Sequence, residues 1–443
     1  MKRIVLAIAL LFAPSVASAA EPRAMTLDEV VTTALARHPR LRVTGADEAA
    51  AKARVTEAES NRLPDIGVSV EINRSSSNTI PGAFVPIIGF APIAGPTRGR
   101  SLEAGTWQSG ASLWASWDVL SFSRQAAAID LALATEKEAA AVTAAQKLDI
   151  AYRAADAYLL LLEAETAVRA AKANVDRAQT LATVTKSLVD QSLRPGADAA
   201  RVEAELANAG TLVARAEQAR DMRRVALGEA MGDPTLAVTP REPEAGGARA
   251  AVVHPEIARS EAAIVRAEEA RKVVNVEYLP RLDLVAALWM RGSGIFDSPA
   301  NGLVADVPNW LGGVTLTWSL FDFPSIRARA KVASAATRAA VARRDEVALS
   351  IASQLATAEA GLKGAQAIAQ QTPKTLASAK AAEEQAAARF KTGLAPVVDL
   401  ADAQRLLTQA EIDDAVARLE VKRALLSIAR ASGDIGPFLH GAR

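Results

Sequence analysis

Cysteine is absent from all 443 residues. This excludes disulfide stapling and a lipid-modified cysteine at a processed N-terminus. Histidine occurs 3 times, at His38, His254 and His440, without H-x-x-x-H spacing, so no metal site is expected. Aromatic residues make up only 4%, a profile of long helices rather than compact mixed domains. No single sign of charge dominates: 51 Lys and Arg stand against 50 Asp and Glu, which gives no electrostatic hint of a nucleic-acid partner. After the first segment, no charge-free apolar run reaches the roughly 20 residues of a membrane-spanning helix. The G-x-S-x-G elbow, the P-loop and the dinucleotide fingerprint are also missing, so an enzyme or a bound cofactor has no residues to stand on.

What is present begins with Lys2 and Arg3, the apolar run Ile4 to Phe12, and the small residues Ala17, Ser18, Ala19 and Ala20. That order is the layout of a secretory signal peptide over 1–20. Its apolar run, about ten residues, is too short to span a bilayer.

The rest of the chain is written twice. His38-Pro39 followed by Leu63-Pro64 recurs as His254-Pro255 followed by Leu279-Pro280. Trp117 and Leu193 recur as Trp318 and Leu394. The expected organisation is a first repeat over 21–232, a Pro- and Gly-rich linker over 233–251, a second repeat over 252–433 and a tail over 434–443.

Each repeat reads as helix, two strands, a very long helix, a tip and a returning helix. The first helix is expected from about Thr26 to Arg62, ended by Pro64. The period then switches to two. Ile66, Val68, Val70 and Ile72 alternate with Gly67, Ser69, Glu71 and Asn73, and Ala111, Leu113, Ala115 and Trp117 share a face of the partner strand. In the second repeat Leu282, Leu284, Ala286 and Leu288 share one face, and Val314, Leu316, Trp318 and Leu320 another. Four strands of about ten residues with one apolar side match transmembrane β-strands, and a soluble sandwich remains the alternative on pattern alone. Trp107, Trp117, Trp310 and Trp318 fall near strand ends, where interfacial aromatic girdles sit. The stretches from about Arg74 to Thr106, with its apolar middle Phe84 to Ile93, and from about Gly292 to Trp310 are the expected extracellular loops.

Long helices are expected from about Arg124 to Gln191 and from about Ser325 to Thr392. At 1.5 Å per residue such a helix is on the order of 100 Å long, so it belongs in a bundle or coiled coil. Leu148, Tyr152, Ala155, Leu159 and Leu162 are spaced 4-3-4-3, as are Ile351, Leu355, Ala358, Leu362 and Ala365, marking seams for partner helices. Pro373 should kink or break the second helix. The tips, Gln191 to Asp198 and Thr392 to Asp399, are short, so each repeat ends in a helical hairpin. Two strand hairpins cannot close a membrane barrel, and open edges are not tolerated in lipid, so oligomerisation is required. The fold class is thus mixed α and β, with long α-helical hairpins and four strands per chain contributing to a shared barrel.

At this point the sequence resembles the TolC family of outer-membrane efflux channels over essentially its whole mature length. The resemblance rests on Thr26-Leu27-Asp28-Glu29-Val30, His38-Pro39-Arg40-Leu41, Leu63-Pro64, Trp318-Ser319-Leu320-Phe321-Asp322 and Phe390-Lys391-Thr392-Gly393-Leu394. It implies a homotrimer with a 12-stranded barrel in the outer-membrane lipid and an α-barrel in the periplasm, where most of the mass lies. It also implies a passive exit duct for a tripartite efflux or type I secretion system, served by an inner-membrane transporter and a periplasmic adaptor. By the same resemblance Gly393, Leu394 and Pro396, with Ser192, Leu193 and Pro195 as first-repeat equivalents, form the adaptor-contact tip. Ser192 departs from the glycine usual there. Asp399 and Asp402 match paired acidic positions at the periplasmic constriction, and Asp198 is the first-repeat counterpart of Asp399. Capping and dipole complementation at a helix start account for the same carboxylates, and Arg201 replaces the second acid in the first repeat. Each of His38 and His254 precedes a proline, which favours a structural role.

The main rival reading is a periplasmic coiled-coil adaptor or structural protein with a small soluble β domain. It differs in requiring charged side chains on the outward strand positions.

Overall fold

Between Phe122 and Asp190 neither proline nor glycine occurs, and in the computed structural model these 69 residues form one helix. The structure describes residues 23–76, 105–119, 121–242, 253–293 and 299–439. The expected signal peptide, the centres of both proposed extracellular loops with the stretch 84–93, part of the linker, and His440 lie outside the described residues.

In chain order the elements are β1 (Arg23–Met25), α1 (Leu27–Arg37), α2 (Pro39–Ser60), β2 (Asp65–Ser76), β3 (Gly105–Asp118), α3 (Phe122–Asp190), α4 (Gly196–Ala230), β4 (Val238–Pro240), α5 (Pro255–Asn275), β5 (Arg281–Ser293), β6 (Val307–Thr317), α6 (Phe323–Lys391), α7 (Val397–Ala431) and α8 (Gly436–Leu439), with short 3₁₀ turns among them. Helices α3 and α6 have 69 residues each, and α4 and α7 have 35 each. The described chain falls into two units, Met1–Ala46 with Ala141–Arg259 and Arg344–Arg443, and Asp47–Ala140 with Ser260–Arg343.

In the second unit, β2, β3, β5 and β6 form one antiparallel sheet in that order. The register sets Val68 opposite Leu113, Leu113 opposite Leu288, and Leu288 opposite Trp310. The period-two pattern thus adds up to one apolar face running across all four strands. That face is uncovered: Val68 is 74% exposed, Leu288 61%, Val314 62% and Trp310 77%. A soluble domain does not leave so much contiguous apolar surface to water; among the described residues the one charge on this face is Arg74, near the end of β2, with its guanidinium 5.7 Å from the Trp107 ring centre, and the soluble rival required more. On the opposite face Trp114 lies over Gly67, where a Cβ would collide with the indole.

The duplicated tryptophans act locally. The indole N–H of Trp117 donates to the Arg62 carbonyl at 3.0 Å, and that of Trp318 donates to the Tyr278 carbonyl at 3.1 Å. Each thereby satisfies a backbone group left over where a helix meets a Leu-Pro step. Trp318 and Leu320, expected in the last strand, lie beyond its end at Thr317. Leu320 belongs to a 3₁₀ turn.

The first unit is helical and holds the main core. Val30, Val31 and Ala34 of α1 pack with Ile150, Tyr158, Leu159 and Leu161 of α3, Leu227 and Met231 of the first returning helix end, and Leu426 of α7. Thr26-Leu27-Asp28-Glu29 is a capping box: Thr26 N–H donates to Glu29 Oε2 at 2.7 Å, and Glu29 N–H donates to Thr26 Oγ1 at 3.3 Å. The helix expected from Thr26 to Arg62 is in fact α1 and α2, broken at the extended His38 because Pro39 excludes helical geometry there. Within the segment read as a linker, β4 pairs in parallel with β1. The buried Tyr158 hydroxyl accepts the Arg241 N–H at 2.7 Å and so ties this small sheet to α3. Helix α6 continues through Pro373, so a local break does not occur. Next to that proline Thr372 donates to Asp414 of α7 at 3.0 Å.

Four helix ends share one motif. Ser192 (φ 60), Gly232 (φ 84), Gly393 (φ 77) and Gly433 (φ 89) all adopt the left-handed region. In each the next residue's N–H reaches back five residues: Leu193 to Leu188, Asp233 to Gly228, Leu394 to Arg389 and Asp434 to Ala429. This is the Schellman closure, which satisfies carbonyls orphaned at a helix C-terminus. A Cβ on Gly232 would meet His38 Cα at 2.9 Å, and one on Gly433 would meet His254 Cα at 2.9 Å. The duplicated His-Pro pairs therefore mark where α2 and α5 begin against the ends of α4 and α7.

Candidate functional site

The candidate site is the pair of turns joining α3 to α4 and α6 to α7. Both leave their helix through a left-handed residue, Ser192 or Gly393, followed by an exposed leucine: Leu193 is 66% exposed and Leu394 72%. Pro195 and Pro396 then cap the returning helices, with φ of −65° and −72°. Proline suits this position because a helix start has no partner for its missing N–H. A serine in the left-handed region carries a steric cost of roughly 1–2 kcal/mol that glycine avoids.

Behind the turns, Leu181, Val202, Phe390, Val397 and Leu400 bury one another, so α3, α4, α6 and α7 meet in one small core. Arg194 joins the two turns across it. Its guanidinium lies 4.8 Å from the Phe390 ring centre and donates to the Ala395 carbonyl at 3.1 Å. Its other nitrogen lies 3.8 Å from Asp198. Farther along α3, Arg177 holds Glu411 of α7 at 2.9 Å and donates to Thr408 at 2.9 Å.

The three aspartates differ in their surroundings. Asp198, in the first turn of α4, is engaged by Arg194. Asp399, in the first turn of α7, is exposed and has no ion-pair partner among the described residues. Asp402 is exposed and lies 3.4 Å from Arg405 on the same helix. Asp399 and Asp402 are three apart, so they share a helix face. The sequence reading missed Arg194, Arg177 and Arg405. For Arg194 a signal existed: a long cation stands where the second repeat has Ala395.

The arrangement offers exposed leucines, turns fixed by left-handed residues and prolines, and carboxylates. A family model described as outer membrane efflux protein matches residues 30–233 and 248–434. No curated protein matches the chain. Among solved structures, the outer-membrane channel CmeC of Campylobacter jejuni aligns with a TM-score of 0.76 at 15% identity, covering 94% of this chain and 87% of that one. The outer-membrane protein VceC of Vibrio cholerae aligns with a TM-score of 0.73 at 17% identity, covering 92% and 96%. The open-state MtrE outer-membrane channel of Neisseria gonorrhoeae aligns with a TM-score of 0.72 at 19% identity, covering 92% and 89%.

Proposed function

Since the chain belongs to the outer membrane efflux protein family, we propose that it works as a homotrimer in which each copy gives its four-stranded sheet to one closed barrel. The protein is an outer-membrane exit channel of the kind used by tripartite efflux systems, with its large helical part in the periplasm. The observation that carries the trimer is the sheet itself. Its apolar face is exposed, and β2 and β6 each pair on one side only. Lipid tolerates an outward apolar face but not an unpaired edge, and the edges close only against other copies.

In this reading the repeats 21–232 and 252–433 supply equivalent helical hairpins, and the tips point at the periplasmic partner. Gly393, Leu394 and Pro396, with Ser192, Leu193 and Pro195, form the surface for an adaptor that bridges to an inner-membrane transporter. Two solvent-exposed leucines on rigid turns support an apolar docking contact. Asp399 and Asp402, with Asp198, line the constriction, where threefold repetition gives rings of carboxylate that favour cations. The channel itself performs no chemistry; the energy comes from the transporter.

Single-channel conductance in planar bilayers, measured alongside the oligomer mass in detergent, tests this. Discrete steps from a trimer are expected. A monomer that never inserts would overturn the barrel.

A further inference from the structure

In the first unit, the starts of α2 and α5 and the end of α7 approach α3 and α6 around an open pocket of about 440 Å³. That lies within the range of roughly 300–1,000 Å³ usual for small-molecule sites. Its lining includes four arginines brought from separate helices: Arg40, Arg153, Arg259 and Arg430. Only Asp149 and Glu256 oppose them there. Asp149 holds Arg153 at 2.8 Å and Arg430 at 3.3 Å, and Glu256 holds Arg259 at 3.0 Å. Arg40 has no ion-pair partner among the described residues. Four guanidinium groups against two carboxylates leave an excess of two positive charges.

No other group in the lining offsets this excess. His254 brings no negative charge: its Nδ1 accepts the Glu256 N–H at 3.2 Å, and its Nε2 lies 3.2 Å from the Arg430 carbonyl. Gln146, Gln354 and Ser350 add uncharged hydrogen-bonding groups. Burial first, and then the charges of Arg40 and Arg153, hold the nearby His38 below its ordinary pKa. The planar guanidinium fork fits oxyanions two bonds at a time. Cations gathered in a concave wall with fewer carboxylates than guanidinium groups attract an anion.

We propose that this pocket binds a small oxyanion of charge two or more, of the phosphate or polycarboxylate type. Such a site serves neither the barrel nor the tip turns, and its residues are distinct from those of the proposed constriction.

The full-length channel in detergent is titrated with sodium phosphate, sulfate and citrate, each against sodium chloride at matched ionic strength, following heat of binding and unfolding temperature. Saturable heat and an upward shift in unfolding temperature are expected with at least one multiply charged oxyanion and not with chloride. Phosphate and citrate differ in shape, so their relative affinities separate the two ligand types. Arg40→Gln and Arg259→Gln should each weaken binding about tenfold, because each removes a charged donor. Arg259→Lys keeps the charge and should recover part of the loss. Both arginines are exposed or only paired at the surface, so the variants should retain their helix content, which circular dichroism checks. No saturable binding beyond the chloride control overturns the proposal, and this is also the result if an acidic side chain of a second copy fills the pocket. Binding that survives unchanged in a variant carrying both Arg40→Gln and Arg259→Gln overturns it equally.

Discussion

Arg194 lies over the ring of Phe390, 4.8 Å from its centre, and in the same pose donates to the carbonyl of Ala395 at 3.1 Å. One side chain of the first repeat's turn thus fastens two points of the second repeat's turn. A cation–π contact and a charged hydrogen bond are each worth about 1 kcal/mol or more. Arg194→Ala should therefore speed amide exchange across residues 388–396 by roughly tenfold. Arg194→Lys, which keeps the charge but loses the flat stacking group, should fall between. Unchanged exchange in Arg194→Ala would show that the turns are held by their apolar core alone.

The close approach at the helix junctions predicts a second effect. Gly433 combines a φ of 89° with a prospective Cβ contact of 2.9 Å to His254 Cα, and Gly232 does the same against His38. Gly433→Ala and Gly232→Ala should each destabilise by about 2–4 kcal/mol, adding left-handed strain to a backbone collision. Gly393 has the same backbone with open space around it, so Gly393→Ala should cost only the strain, about 1–2 kcal/mol. Thermal unfolding of the three variants gives the ranking directly.

Asp402 has Arg405 3.4 Å away on the same helix, whereas Asp399 has no ion-pair partner among the described residues. The field of a paired carboxylate is largely cancelled by its neighbour. Asp399→Ala should consequently reduce cation preference more than Asp402→Ala, read as the shift in reversal potential under a salt gradient. Removing Arg405 should raise the contribution of Asp402. Equal shifts for the two alanine variants would count against this ordering.

His254 sets a pH dependence whose sign is fixed. Burial, foremost, keeps its pKa below the ordinary 6.5, and Arg430 adds to that against the opposing backbone hydrogen bond and Glu256. The unfolded chain therefore takes up a proton at a higher pH than the folded one. Stability from this group is fully present above about pH 6.5 and is lost as pH falls through the lower folded value. His38 is depressed in the same direction. Unfolding temperatures of His254→Gln measured from neutral to mildly acid pH should show a flatter acid limb than those of the unsubstituted protein.

The sequence carried the periodicities well. The alternation of Ile66, Val68, Val70 and Ile72 announced a strand with one apolar side, and the run read as one helix from about Arg124 to Gln191 is helical over Phe122–Asp190. The reciprocal cap of Thr26 and Glu29 lies in a segment quoted only for the family resemblance, and the structure shows it to be a helix start. What was misjudged depended on distant partners. Trp318, expected within the last strand, lies beyond its end at Thr317, with its indole bonded to the Tyr278 carbonyl. Of the kink or break expected at Pro373, the break does not occur, since α6 runs through it. Arg194 stood out against Ala395 at the matching position, but its partners, the Phe390 ring and the Ala395 carbonyl, came within reach only with the turns side by side.

Spacing along the chain and each residue's own conformational preferences were enough to give the long helices, the four long strands, the duplication and which strand face is apolar. Packing was needed to make Gly232 and Gly433 seats for the two His-Pro pairs, to pair Asp402 with Arg405 while Asp399 has no ion-pair partner among the described residues, and to bring Arg40, Arg153, Arg259 and Arg430 to line one pocket. These are distances between residues far apart in sequence, or rotamers chosen among several of nearly equal energy, and packing alone selects them.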